Sequence, residues 1–86
     1  MKSVLLIDGS KLFQDFLRDK VATEQVDLEC VNSREAYSKM LSLLPDLIII
    51  EVEDEIKEEL TNLLNKKHVD PNAKKIPIIM TGPVID

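Results

Sequence analysis

Two short aliphatic runs, residues 4–7 (Val-Leu-Leu-Ile) and residues 47–50 (Leu-Ile-Ile-Ile), each stop at a carboxylate, Asp8 and Glu51 respectively. An unbroken apolar run of this length, without polar alternation, reads as a strand covered on both faces, the pattern of a parallel sheet. Open α/β sheets place their working groups outside the carboxyl ends of the strands. If both runs are parallel strands, Asp8 and Glu51 meet at one rim.

The intervening segments have helical spacing. Leu12, Phe13, Phe16, Leu17 and Val21 recur with the period of a helix, and Ser10 is placed to cap it. Residues 26–31 alternate, with Val26, Leu28 and Cys30 apolar against Asp27 and Glu29, as expected of a half-exposed edge strand. Ser33 is the expected cap of a second helix, with Glu35 in its first turn, a stripe of Ala36, Tyr37, Met40, Leu41 and Leu44, and Pro45 as its stop. Ile56, Leu60, Leu63 and Leu64 mark a third helix. Asp70, Pro71 and Asn72 are turn residues, and residues 76–80 form a fourth strand with Pro77 near its start. Gly82 and Pro83 end that strand. The order is β-α-β-α-β-α-β, which calls for parallel strands joined by right-handed crossovers.

Eighty-six residues make one small domain. Aromatic residues are 3% of the chain against 44% apolar, so the core has to be built from Leu, Ile and Val. No run approaches the roughly 20 apolar residues that span a bilayer, so no membrane is expected. Cys30 is the single cysteine, which excludes an intrachain disulfide and a cysteine-rich metal site and fits a reducing cytoplasm. The net charge of −5 has an address: residues 51–59 hold Glu51, Glu53, Asp54, Glu55, Glu58 and Glu59 against Lys57, and the remaining acids and bases cancel. Such a run is also what a solvated helix face looks like. Two basic pairs, Lys66 with Lys67 and Lys74 with Lys75, do not make the basic stripe with interleaved aromatics that direct nucleic-acid binding requires.

Four segments, in order and at matching spacing, resemble the receiver domain of bacterial response regulators. Residues 4–10 (Val-Leu-Leu-Ile-Asp-Gly-Ser) resemble its first strand and acid turn, and residues 32–36 (Asn-Ser-Arg-Glu-Ala) the start of its second helix. Residues 45–51 (Pro-Asp-Leu-Ile-Ile-Ile-Glu) resemble the strand that ends in the phosphorylated Asp. Residues 70–80 (Asp-Pro-Asn-Ala-Lys-Lys-Ile-Pro-Ile-Ile-Met) resemble the loop and strand leading to the switch Ser or Thr. The resemblance implies an α/β, flavodoxin-like parallel sheet of strand order 2-1-3-4, with the family's fifth strand missing. Residues 1–86 would then be a single receiver-like domain, incomplete at its C-terminus.

Measured against that family, the chemical positions are depleted. Phosphoryl transfer to a carboxylate needs an in-line Asp, a divalent cation held by oxygens and donors on the developing charge. Glu51 stands at the phosphoacceptor position, and its extra methylene moves the attacking oxygen by about 1.5 Å, a displacement that can cost roughly 10²-fold in rate. Asp8 matches the first acid of the family's pair, while Gly9 takes the place of the second and has no side-chain oxygen for a metal; a turn requiring positive φ would also account for it. Counting from Pro77, the switch hydroxyl position falls on Gly82, and Thr81 comes one step early, where strand alternation turns it to the other face. The family's Lys at the end of strand five has no counterpart. His68, the single histidine, sits near a helix end where it suits the helix dipole.

These residues imply a pseudo-receiver: no catalytic residue, no enzyme, no metal site and no resident cofactor, with Mg²⁺ poorly supported. Its partners would be another protein or an attached output domain, with no direct nucleic acid. An apolar, uncharged fourth strand left at the sheet edge invites pairing with a second copy. A phosphoacceptor of atypical geometry, an acidic metal-binding domain using Glu53, Asp54 and Glu55, and a small α/β enzyme unrelated to receivers are the alternatives; for the last, no nucleophile and base pair is evident.

Overall fold

The computed structural model describes residues 2–52 and 58–82. The elements are β1 (Lys2–Ile7), α1 (Lys11–Val21), β2 (Val26–Val31), α2 (Ala36–Leu43), β3 (Leu47–Glu51), α3 (Glu58–Val69), a 3-10 turn (Ala73–Lys75) and β4 (Ile78–Thr81). All strand pairings are parallel, in the order β2-β1-β3-β4. This is the α/β, flavodoxin-like arrangement that the alternation of elements implies.

The register follows from the aliphatic runs. Val4 pairs with Leu47 and Ile7 with Ile50, so β1 and β3 end together and set Asp8 and Glu51 side by side. Strand side chains alternate between faces. Leu5, Ile7, Ile48 and Ile50 point to one face, where they are buried with Ala36 and Met40 of α2 and Leu60 and Leu63 of α3. Leu6 projects to the opposite face, where Phe13 of α1 is also buried. The main core is aliphatic, as the composition requires.

Ser10 caps α1 through its hydroxyl, which accepts from the Phe13 N–H at 3.2 Å. Arg18 and Lys20 in the last turn complement the helix dipole. The stripe of α1 is used unevenly: Phe13 is buried, but Leu12 and Phe16 stay exposed. The second helix starts later than expected, and Ser33 does not cap it. Asn32 Oδ1 accepts from the N–H groups of Arg34 (3.0 Å) and Glu35 (3.1 Å), so a turn centred on Asn32 precedes the helix. Leu44 closes α2 in the left-handed conformation (φ 45°), its N–H donating to the Met40 carbonyl at 2.8 Å. The residue before a proline is disfavoured in the right-handed helical region, so Pro45 forces the stop one residue ahead of itself.

Glu58 and Glu59 open α3, and Lys66, Lys67 and His68 close it, both in the sense that the macrodipole favours. Ile56, expected on the stripe of this helix, lies outside the described residues, as does the acidic cluster Glu53 to Glu55. Asp70 Oδ1 accepts from the Asn72 and Ala73 N–H groups at 2.9 Å, which builds the turn into β4. Pro77 sits just ahead of β4, and its carbonyl accepts from the Ile48 N–H at 3.0 Å. No helix among the described residues is long and apolar enough to cross a membrane.

Lys67 is buried in α3, with its ammonium 3.4 Å from the Lys74 carbonyl, a long contact for a charged donor. Desolvation pushes its pKa below the ordinary 10.5. The folded chain therefore binds fewer protons here than the unfolded chain as pH rises toward 10.5, and stability rises with pH across that window. Lys67→Met is expected to raise the urea midpoint at neutral pH, with the margin over wild type shrinking by about pH 10. Urea melts of both proteins at the two pH values measure it.

Candidate functional site

The rim formed by the ends of β1, β3 and β4 gathers Asp8, Gly9, Ser10, Glu51 and Thr81. Asp8 leaves β1 in the left-handed conformation (φ 56°), held by its own N–H on the Val31 carbonyl at 2.9 Å. Asp tolerates this conformation better than most residues. Its Oδ1 accepts from the Ser33 N–H at 2.9 Å, which ties the end of β1 to the turn before α2.

Gly9 is not explained by positive φ, because neither glycine has it; the left-handed residue of the turn is Asp8. Close approach explains Gly9 instead. A Cβ there would lie 2.5 Å from Leu6 Cδ2 and 2.8 Å from Leu6 Cγ, and Leu6 is fully buried. Whatever side chain stood at position 9 would have to displace Leu6.

Glu51 is 4% exposed. Its Oε1 accepts from the Ser10 N–H at 2.6 Å, a charge-assisted hydrogen bond from the first turn of α1. The positive end of the helix dipole favours an anion at this point. The same residue, Ser10, thus caps α1 with its hydroxyl and holds Glu51 with its backbone.

Thr81 corrects an expectation. It pairs in register with Glu51, and partners across a parallel ladder project to the same face, so Thr81 stands beside Glu51 and does not turn away from it. Its hydroxyl is buried and has no hydrogen-bond partner among the described residues. Gly82, the position that counting from Pro77 gives to the switch hydroxyl, is exposed, and an added Cβ there would meet open space.

The family resemblance implies a divalent cation at this rim. Mg²⁺ demands near-octahedral oxygen ligands at about 2.0–2.1 Å. Asp8 has one oxygen committed to Ser33, Glu51 has one committed to Ser10, and Gly9 offers no side-chain oxygen and no room for one, while its carbonyl accepts from Gln14 Nε2 at 3.0 Å. The described residues of the rim do not fit that ion. Among the described residues, no three His, Cys, Asp or Glu side chains gather where they could hold a metal.

One feature escaped the sequence. A shallow recess of about 530 Å³ opens on the other side of Asp8, where Gln14, Arg18, Cys30 and Glu35 meet. Arg18 Nη2 lies 3.5 Å from Cys30 Sγ. Burial pushes the Cys30 thiol up, against the pull of the Arg18 charge. The alternation of β2 put Cys30 on its apolar side, but no sequence signal paired it with an arginine twelve residues earlier. His68 lies in the last turn of α3, away from this rim.

No protein-family model matches the chain, and no curated protein matches its sequence. Solved structures do match its fold. The crystal structure of a response regulator from Desulfuromonas acetoxidans superposes with a TM-score of 0.78 at 23% identity, covering 95% of this chain and 67% of that one. The solution structure of a response regulator protein from Burkholderia multivorans gives 0.74 at 16% identity, covering 95% and 66%. The chain spans about two thirds of the length of each. These likenesses establish a receiver-like fold.

Two substitutions at the rim should move stability in opposite directions. Gly9→Ala forces a methyl against buried Leu6 and is expected to cost about 1–3 kcal/mol. Thr81→Val removes a buried hydroxyl without a partner and is expected to add about 1 kcal/mol. Chemical denaturation of the two variants beside wild type checks both signs.

Proposed function

We propose that this chain is a pseudo-receiver: a signalling module that acts through protein contact and has given up phosphoryl switching. The observation that carries the reading is the short bond from the Ser10 N–H to Glu51 Oε1. It commits the carboxylate at the phosphoacceptor position to α1 in the resting chain. Gly9 packed on Leu6 adds support, since the second acid of a working metal pair has no space there.

In this reading Glu51 supplies a fixed negative charge where a phosphoryl group would be gained. A phosphoryl group brings about −1.5 to −2 charges and three acceptor oxygens; one carboxylate, already hydrogen-bonded, brings less of both. The module therefore presents one locked surface to a protein partner or an attached output domain, within the cytoplasm, and catalyses nothing. The acidic balance of the chain speaks against direct contact with nucleic acid.

A second reading has one observation in its favour. The unpartnered Thr81 hydroxyl beside Glu51 is a donor that a bound phosphoryl group could use, which would make the chain an atypical phosphoacceptor. An acidic metal-binding domain is the third; consecutive Glu53, Asp54 and Glu55 lack the spaced ligands of a calcium loop, so calorimetry with Ca²⁺ is expected to be flat.

Incubation with acetyl phosphate and Mg²⁺, followed by intact-mass measurement, separates the first two readings. The expected outcome is no phosphoryl adduct and no amide shifts on adding beryllofluoride. A saturable adduct that maps to Glu51 and disappears in Glu51→Gln would replace the pseudo-receiver with the phosphoacceptor.

A further inference from the structure

We propose that the recess between α1 and the end of β2 is a binding site for a free basic amino acid, with arginine the form that fits it best. The proposal does not depend on phosphoryl chemistry at Glu51, so the two can fail separately. Every group that lines the recess comes from residues 8–35.

Its charges are those that the neighbouring ion pairs leave over. Lys39 follows Glu35 by four residues, and its N–H donates to the Glu35 carbonyl at 3.1 Å, the spacing at which a lysine can pair with a glutamate. Its ammonium lies instead 3.4 Å from Glu29. Asp15, three residues before Arg18 on α1, is taken by Lys11 at 3.3 Å. Among the described residues these are the two ion pairs, so Asp8, Arg18 and Glu35 line one recess with none. The guanidinium of Arg18 reaches only Cys30 Sγ, at 3.5 Å.

The two signs sit at opposite ends. The Asp8 Oδ1 bond from the Ser33 N–H and the Asn32 Oδ1 bond from the Glu35 N–H set both acids at the turn before α2. Cys30, which marks the guanidinium, is level with Leu6 in the ladder of β1 and β2, two residues short of Asp8. At about 3.3 Å per residue, the ends lie roughly 7 Å apart along the strands. A short amino acid carries its ammonium and carboxylate on one carbon and cannot reach both. An extended arginine or lysine can, with its carboxylate on Arg18 and its terminal cation between Asp8 and Glu35.

Net charge selects the same class. Two acids against one base leave the recess with an excess negative charge, and a basic amino acid brings an excess positive one. The Cys30 thiol adds no charge, because burial pushes its pKa up. A guanidinium can address two carboxylates at once through its fork of donors, which favours arginine over lysine. Gln14 Nε2 donates to the Gly9 carbonyl at 3.0 Å, which leaves its Oε1 to accept from the α-ammonium of a free amino acid. The volume, about 530 Å³, lies in the range of small-ligand sites.

An NMR titration of the 86-residue chain with L-arginine at low salt reads the binding. The expected result is saturable amide shifts at Gln14, Arg18 and residues 30–35, with a dissociation constant on the order of 1 mM, and slower alkylation of Cys30 by iodoacetamide. Citrulline, with a urea in place of the guanidinium, and agmatine, without the carboxylate, are each expected to bind roughly fivefold more weakly. Arg18→Gln and Glu35→Gln, both at exposed positions, are expected to weaken arginine by a similar factor while circular dichroism stays unchanged. The peptide Gly-Gly-Arg, whose last residue has no free α-ammonium, is expected to bind less well than arginine. Shifts that stay linear into tens of millimolar, or that saturate away from the recess, overturn the site. Equal binding of citrulline or agmatine, or indifference to either substitution, overturns the paired charges. Tighter binding of the peptide overturns the free amino acid as the occupant.

Discussion

A carboxylate taken out of water has to be paired or hydrogen-bonded, or it loses its charge, and Glu51 is such a group at the end of a central strand. Its oxygen meets the Ser10 N–H at 2.6 Å, and much of the rim is arranged to keep that meeting. The register of β1 on β3, with Ile7 opposite Ile50, brings the two strand ends level. The left-handed turn at Asp8 reverses the chain in one residue and is held from both sides, by Val31 and Ser33. Gly9 lets the chain pass close over Leu6, so that α1 can begin next to Glu51. Ser10 thus serves twice, capping the helix with its hydroxyl and hydrogen-bonding the strand-end carboxylate with its backbone N–H.

On the proposed reading, this rim holds a charge and does not gain one. A switch needs two arrangements within a few kcal/mol of each other, and a ligand that favours one of them. Here the carboxylate leans toward α1, whereas the buried hydroxyl of Thr81 on the β4 side is left without a partner.

Much of the fold was legible in the sequence because burial leaves a periodic signature. The unbroken runs 4–7 and 47–50 gave the central strands, the alternation in residues 26–31 gave the edge, and the order of elements left one economical topology. Details that rest on single atoms were not legible. Asn32 replaced Ser33 as the cap of the turn before α2, since both have suitable oxygens and only the backbone path selects between them. Gly9 looked like a conformational glycine and proved to be a steric one, because the neighbour that requires it, Leu6, lies under the turn and not beside it in a repeating pattern. Counting from Pro77 puts the switch position on Gly82 and turns Thr81 to the other face, whereas the place of Thr81 is fixed by ladder register with β3, a long-range fact that strand counting does not contain.

Register also explains why the rim and the edge belong to one design. Odd-numbered residues of β4 direct their backbone inward to β3, and their side chains share the face of Glu51; even-numbered residues direct their backbone outward and their side chains toward the main core. Shifting β4 by one residue would reverse all four assignments. It would turn Thr81 away from Glu51, bring Ile79 against the core in place of Ile78, and aim the backbone of Pro77, with no N–H to give, away from β3. The hydroxyl beside Glu51 and the outward-facing backbone of Ile78 and Met80 are therefore two consequences of a single alignment between Glu51 and Thr81.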